Sequence, residues 1–551
     1  MKRLPVVFSA LCIMAMPTAG MAQGTVDIAF NGTSATVNVP DTVEGVVSIV
    51  SGAKVTIFSA TTSQEYTYRL HGTSDNGSLT ISGSYKLILQ LDGLKLTNSS
   101  SGAAIDVQCG KNIDVVLTDG TVNTLCDAAT GSQKAALYFK GHPEFKGGGT
   151  LNVTGRTAHA ISAKEEMQLK SSLGIINILG AVKDGLHCGK DENSADHNYF
   201  EMKGGTVNVT NVAGDAIDTG DYGSIRILGG ALSLNVGHGA TGLKADSVIT
   251  VSDGNVNISV TGRDSEAIRA RYAVNMAGGK TNIVVSGDGS KGIKGKRLTA
   301  ADAGSTVRDG GFATISGGTV DIQVNGGNLI DAALNDTTKC MAMSIDADLV
   351  QTSGDVCLTA MGPEARTHNV KGTETHSGGT FVLRQAPWQL NAADYRYDMT
   401  VYATVSRNGQ ALSNYDDVAV GAFIGDACVG IAQPIGNLLQ LRVYSNSTTS
   451  QTVTFSLYSY NEEREYSLTP AESVIFQESA TIGLPDSPLV LSYEVAAITG
   501  DVNNDGRVDI ADVLSVINII DADDYDKAAD IDNNGKVNLN DVVDLINIIV
   551  K

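Results

Sequence analysis

A short repeat limits this chain more than any other feature. The phrases HAISA (159–163), DGLHC (184–188), DAIDT (215–219), TGLKA (241–245), EAIRA (266–270) and KGIKG (291–295) each set a small residue before an Ile or Leu. Their central residues are Ile161, Leu186, Ile217, Leu243, Ile268 and Ile293, at spacings of 25, 31, 26, 25 and 25. Units this short cannot bury an apolar face alone, so they must stack on one another. A second set runs between them: GGGTLNVTG (147–155), GGTVNVT (204–210), GGALSLNV (229–236), DGNVNISV (253–260), GGKTNIVVSG (278–287) and GGTVDIQVNG (317–326). Apolar residues there alternate with Asn, Thr, Ser or Asp, the mark of a strand with one buried face. Each Gly pair reads as a turn entering the strand. No helical periodicity of useful length occurs before residue 500, and a propeller blade needs about 40 residues. The pattern therefore predicts an all-β fold, a parallel β-helix with two or three short strands per turn. Segments 189–200 and 296–310 break the period and read as loops thrown out from the stack.

The ends of the chain differ from this middle. Residues 1–22 begin with Lys2 and Arg3, continue with an apolar run and end with Gly20 and Ala22, which predicts a secretory signal peptide and an exported product. Cys12 lacks the small residues that precede a lipidated cysteine, so no lipid anchor is expected. No other window holds about 18 unbroken apolar residues, so no transmembrane segment is expected. The formal net charge of −21 argues against nucleic acid or an anionic membrane as the partner. Six cysteines remain after the signal: Cys109, Cys126, Cys188, Cys340, Cys357 and Cys428. Export permits disulfides among them, and buried free thiols are the other reading. Near Thr380 the pattern changes. Trp388, Tyr395, Tyr397, Tyr402 and the strands in 417–432, 438–445 and 451–460 predict a small β-sandwich over 386–495. Trp388 with Tyr395 and Tyr397 is either a sugar-stacking patch or part of the core.

The last fifty residues carry a duplication. DVNNDGRVDIAD begins at Asp501, and DIDNNGKVNLND begins at Asp530. In the first copy, oxygen-bearing side chains fall at loop positions 1, 3, 5, 9 and 12: Asp501, Asn503, Asp505, Asp509 and Asp512. Gly506 occupies the sharp turn at position 6, and Arg507 supplies its carbonyl at position 7. The second copy offers Asp530, Asp532, Asn534, the carbonyl of Lys536, Asn538 and Asp541. Six to eight oxygens at this spacing wrap one Ca²⁺. Each loop leads into an apolar helical stretch, 513–520 and 542–550, which makes half an EF-hand used twice. Segment 501–551 has 12 Asp against 4 Lys and Arg, so its repulsion should leave it partly unfolded without the cation. These residues resemble a type I dockerin, which implies Ca²⁺ and a cohesin-like protein partner. The Ser-Thr common at loop positions 10 and 11 of dockerins is replaced by Ile510-Ala511 and Leu539-Asn540.

The DGLHC, DAIDT, TGLKA and KGIKG phrases, spaced by their GG-T-V-N-V strands, resemble exported carbohydrate-binding β-helix proteins related to pectate lyases. The likeness extends over about residues 40–385. It implies a right-handed parallel β-helix, a cellulose- or pectin-like ligand and calcium on the helix. The expected organisation is a signal over 1–22, the β-helix over 23–385, the β-sandwich over 386–495 and an α-helical dockerin-like module over 500–551.

If the central Ile or Leu points inward, the next residue points outward. That places Ser162, His187, Asp218, Lys244, Arg269 and Lys294 in one column, and Lys164, Gly189, Gly220, Asp246, Arg271 and Lys296 in another. Cations about 4.8 Å apart need compensation, either from neighbouring Glu266, Asp264 and Asp246 or from an anionic glycan. His187, Asp218, Lys244, Arg269, Arg271, Lys294 and Lys296 are the candidate carbohydrate contacts. Asp184, Asp215, Asp218 and Asp221, with Asp191 and Glu192 near them, either hold a second Ca²⁺ or are turn residues. Lys183 and Lys190 flank that group, so proton abstraction from a uronate is an open alternative. No pair of carboxylates is singled out as a hydrolase would require. The expected function is non-catalytic carbohydrate binding in polysaccharide capture. A polysaccharide lyase or glycoside hydrolase is the first alternative and a surface adhesin the second.

Overall fold

The computed structural model describes residues 24–189, 198–297, 309–331, 336–362, 364–390, 392–415, 417–448, 450–495, 499–503, 508–522 and 524–550. The signal-like stretch 1–22 lies outside them, as do Lys190, Asp191, Glu192, Asp505, Gly506 and Arg507.

Successive repeats pair in parallel. Ile161 stands opposite Leu186, Leu186 opposite Ile217, Ile217 opposite Leu243, Leu243 opposite Ile268, and Ile268 opposite Ile293. All six are buried in one continuous core that runs from Val26 to Ala365. On the outer surface of the neighbouring strands the polar half of the alternation forms its own ladder. Asn177 donates to Asn152 and Asn208 to Asn177, each at 2.8 Å. Stacked amides satisfy one another in this way.

The strand pairing corrects the expected fold class. In place of a right-handed parallel β-helix with separate short strands, ten parallel strands close into a ring. Leu87–Thr97 pairs with Asn112–Leu117, which pairs with His142–Lys146, then Met167–Leu169, Tyr199–Met202 and Ser224–Val236. From Ser224–Val236 the ladder returns through Thr206–Val209, Ile175–Ala181, Thr150–Gly155 and Val122–Cys126 to Leu87–Thr97. Long strands cause the closure. Ser224–Val236 does not stop at Gly229-Gly230; it passes through a register shift there and continues, so its two halves pair with different neighbours. The Gly pair that predicts a turn is thus a bulge within one strand. Gly230 at φ +89° shows why Gly stands there.

The expected β-sandwich is likewise corrected to a closed barrel. Tyr397–Arg407, Leu438–Ser445, Ala427–Ile435, Val418–Ile424, Thr452–Ser459, Arg464–Pro470 and Leu489–Tyr493 pair in that order, all antiparallel. Leu489–Tyr493 then pairs in parallel with Tyr397–Arg407 and completes the circle. Alternation marks which face of a strand is apolar, and it is the same whether two sheets stack or one sheet closes. This barrel has its own core, from Met399 to Tyr493. Trp388 packs with Ala386, Leu390, Ala419 and Ile431, sets its ring edge-on to Phe423 at 5.4 Å and donates to Glu465 at 3.3 Å. It is a packing residue.

All six cysteines are free, and Cys109, Cys188 and Cys340 are buried. Burial pushes the Cys340 thiol up to about 12, which makes it inert. One corner of the repeat domain is built from glycine. A Cβ on Gly287 would overlap the carbonyl oxygen of Gly262, and one on Gly362 would overlap that of Gly326. The obstacle is backbone, so no rotamer relieves it. Gly287→Ala should cost about 2 kcal/mol, read as a lower denaturant midpoint for the repeat domain. An unchanged midpoint would show that the corner opens freely.

Candidate functional site

The residues that follow the central apolar positions stand in register on one face. Ser162 lies opposite His187, His187 opposite Asp218, Asp218 opposite Lys244, Lys244 opposite Arg269, and Arg269 opposite Lys294. Tyr138 extends the row at one end and Ser344 at the other. A companion row stands two residues before each apolar position. Within it the Asp215 N–H donates to Asp184 Oδ1 at 2.9 Å, and the Thr241 N–H donates to Asp215 Oδ1 at 2.7 Å. Thr241, Glu266 and Lys291 continue it in register.

The two rows compensate each other. Lys244 Nζ lies 2.7 Å from Asp215 and 3.5 Å from Asp218, and Arg271 lies 2.8 Å from Asp246. Burial alone would lower the Lys244 ammonium, but Asp218 and Asp215 raise it. Arg269 and Lys294 are held less closely, since they share Glu266 at 3.8 and 3.9 Å. Burial lowers Lys294, and the nearby Lys291 adds to that shift. Lys296 directly follows the strand Lys291–Gly295 that carries Lys294, its N–H bonded to Ala270 O at 2.9 Å. Cationic charge is therefore in excess at the Arg269–Lys294 end.

The four aspartates Asp184, Asp215, Asp218 and Asp221 are divided among different partners. Asp184 Oδ2 lies 3.1 Å from Nδ1 of both His159 and His187, and Asp218 lies 3.3 Å from His187. Asp215 serves Lys244, and Asp221 sits beside Asp246, where burial and then Asp221 raise the Asp246 carboxyl against Arg271. Burial opposes ionisation of Asp184, but the two imidazoles outweigh it and hold that carboxyl well below its usual range. Burial also opposes the charge on His187, yet Asp184 and Asp218 raise it to about 9. His159, Asp184 and His187 each bring a ligand-type atom within 4.8 Å of the others. The two rings are stacked, however, with centroids 4.1 Å apart and planes 13° apart. An imidazole lone pair lies in its ring plane, so two nearly parallel rings do not aim at one ion. The cluster is a hydrogen-bonded charge network in this geometry. His159 was not among the sequence candidates; it stands one period before Asp184, which was the available signal.

The second C-terminal loop brings its oxygens together. Asp530, Asp532 and Asp541 place carboxylate oxygens within 4.8 Å of one another. Asp541 is fully buried and accepts from the N–H groups of Ile531, Asp532 and Asn538. Asp512 does the same in the first loop, with Val502, Asn503 and Asp509. Asp509 and Asn538 also cap the helices Ile510–Asp521 and Leu539–Ile549, each with a complete capping box. Position 12 of each loop is thus the third residue of a helix, which is why the helices begin earlier than their apolar runs. Clustered, hard oxygen donors fit a calcium ion. Residues 499–550 match the type I dockerin domain.

Outside the dockerin, residues 51–322 match a family described as carbohydrate-binding domain-containing protein. No curated protein matches. Among solved structures, a polysaccharide lyase-like protein from C. thermocellum is 18% identical over 66% of this chain and 97% of its own, with a TM-score of 0.27, too low to assign a fold. Type I dockerins bind calcium, and the chain is a polysaccharide-related protein that docks through this module. Among the described residues, no helix is long and apolar enough to cross a membrane. Both dockerin helices leave matching apolar residues exposed: Ile510, Leu514 and Ile517 on one, and Leu539, Val543 and Ile546 on the other. Ile510 and Leu539 occupy loop position 10, where many dockerins carry serine.

Proposed function

We propose that this chain is an exported, non-catalytic polysaccharide-binding protein, fixed to a cohesin-type partner through its calcium-loaded dockerin. The observation that carries the binding role is the outward ladder, which ends in Arg269 and Lys294 sharing one carboxylate. A uronate carboxylate supplies the missing compensation there; His187, Asp218 and Lys244 stand in the same row, and Arg271 and Lys296 come two residues after Arg269 and Lys294. Calcium is held by Asp501, Asn503, Asp505, Asp509, Asp512 and the Arg507 carbonyl in one loop. In the other it is held by Asp530, Asp532, Asn534, Asn538, Asp541 and the Lys536 carbonyl. The exposed stripes headed by Ile510 and Leu539 favour an apolar patch on the partner. Export rests on the signal-like residues 1–22.

Retention on polygalacturonate and on cellulose tests the reading, with unsaturated uronate followed by ultraviolet absorbance. The wild type should bind polygalacturonate without releasing product. Arg269→Ala with Lys294→Ala should weaken that binding roughly tenfold, about 1.4 kcal/mol. Product formation would make the protein a lyase, and no binding to either polymer would leave it an adhesin.

A further inference from the structure

One cavity contradicts the overall charge of the protein. At the end of the ladder away from Arg269, a space of about 470 Å³ is lined by Lys134, Lys164, Lys183, His159, His187 and Tyr138, together with small and amide side chains. Among the described residues no carboxylate lines it, although the chain carries 60 acidic residues against 39 basic ones. The lysines are only partly compensated, and Lys164 alone of the three has a carboxylate within ion-pair distance among the described residues. Lys164 is 47% exposed and 3.5 Å from Glu165, and Lys134 lies 5.3 Å over the Tyr138 ring. Lys183 has no carboxylate partner among the described residues. Three ammonium groups around one concave space repel one another unless an anion sits between them. Asp184, behind the histidines, is already committed to both rings and to the Asp215 N–H.

The cavity belongs to the ladder face. Tyr138, Ser162 and His187 are consecutive in register, and the row continues through Asp218 and Lys244 to Arg269. Strand spacing puts His187 about 14 Å from Arg269. A linear polymer laid along the row would meet cations at both ends, with internally paired charges between them.

We infer that this cavity is a subsite for one acidic sugar residue, whose anionic group is held by Lys164 and Lys183 and whose ring lies toward Tyr138. The inference rests on the polysaccharide-binding reading and gives it a second contact point and a ligand class. Lysine supplies point charge rather than a planar fork, so either a carboxylate or a sulfate ester satisfies the site.

Calorimetric titration of the full chain in calcium tests it, with a galacturonic acid oligomer, its methyl ester and a sulfated galactan oligomer as probes. The acidic oligomer should bind and the methyl ester should bind at least tenfold more weakly. Lys164→Ala with Lys183→Ala should reduce affinity for the acidic probe about tenfold and leave the methyl ester unchanged. Both lysines are exposed or half-exposed, and unchanged circular dichroism checks that the fold survives. Equal dependence for the sulfated probe would support the subsite and broaden its ligand to any anionic sugar. If the lysine variant binds like the wild type while Arg269→Ala with Lys294→Ala loses binding, the subsite is wrong and the wider reading stands. If the wild type binds none of the probes, the wider reading fails with it.

Discussion

Chelating calcium is expected to unfold residues 499–550 and leave the remainder of the chain folded. Among the described residues, the module's own core has five buried side chains, Val513, Val516, Ala529, Val542 and Leu545, too few to fold fifty residues alone. Its acidic excess, 12 Asp against 4 Lys and Arg over 501–551, opposes compaction until a cation neutralises it. Asp512 and Asp541 link the two problems, because each is a loop carboxylate, a helix cap partner and an acceptor for three backbone N–H groups. Binding free energy is then folding free energy. Asp512→Ala with Asp541→Ala, in saturating calcium, should behave like the wild type in chelator: loss of the far-ultraviolet helical signal and loss of cohesin capture by more than about 100-fold, roughly 2.7 kcal/mol. Proteolysis should cut between about 495 and 551 first. A helical signal and capture that both persist in chelator would remove calcium from the account.

Phe139→Ala or Phe145→Ala should each cost the repeat domain about 3–5 kcal/mol. Both rings are fully buried, and they meet edge to face with centroids 5.9 Å apart. Phe139 belongs to the strand Ala135–Phe139 and Phe145 to His142–Lys146, so the pair ties the ladder face to the closed ring. Removing either ring leaves a cavity that flanking backbone, hydrogen-bonded on both sides, cannot fill. The double variant should cost about 1 kcal/mol less than the sum, because the second truncation no longer breaks the ring contact. Denaturant titration followed by a probe within the repeat domain reads this directly. A loss below about 1 kcal/mol for both single variants would mean that the interior repacks.

Strict additivity or neutrality of these core positions would also count against the repeat as the organising unit. Six apolar residues read from the chain as inward-facing, Ile161 through Ile293, all lie in the core and in one register. That much was legible because burial imposes a period on side chains. The outward row was legible for the same reason, since a residue next to an inward one must face away. What those neighbours do to each other was not legible. Glu266 shared between Arg269 and Lys294, and His159 stacked on His187, depend on side chains from different repeats meeting across the ladder.

The sequence by itself determined the repeat, the strands, the paired calcium-type loops and the helical stretches after them, because each is specified by residues close together in the chain. Only the tertiary structure decided that Ser224–Val236 runs on through its glycines and helps close a ten-stranded ring, and that Leu489–Tyr493 pairs back to Tyr397–Arg407 to make a barrel. A strand's alternation records which side is dry. It carries no information about which edge finds which partner, and that choice is made by long-range backbone pairing and by the packing it encloses.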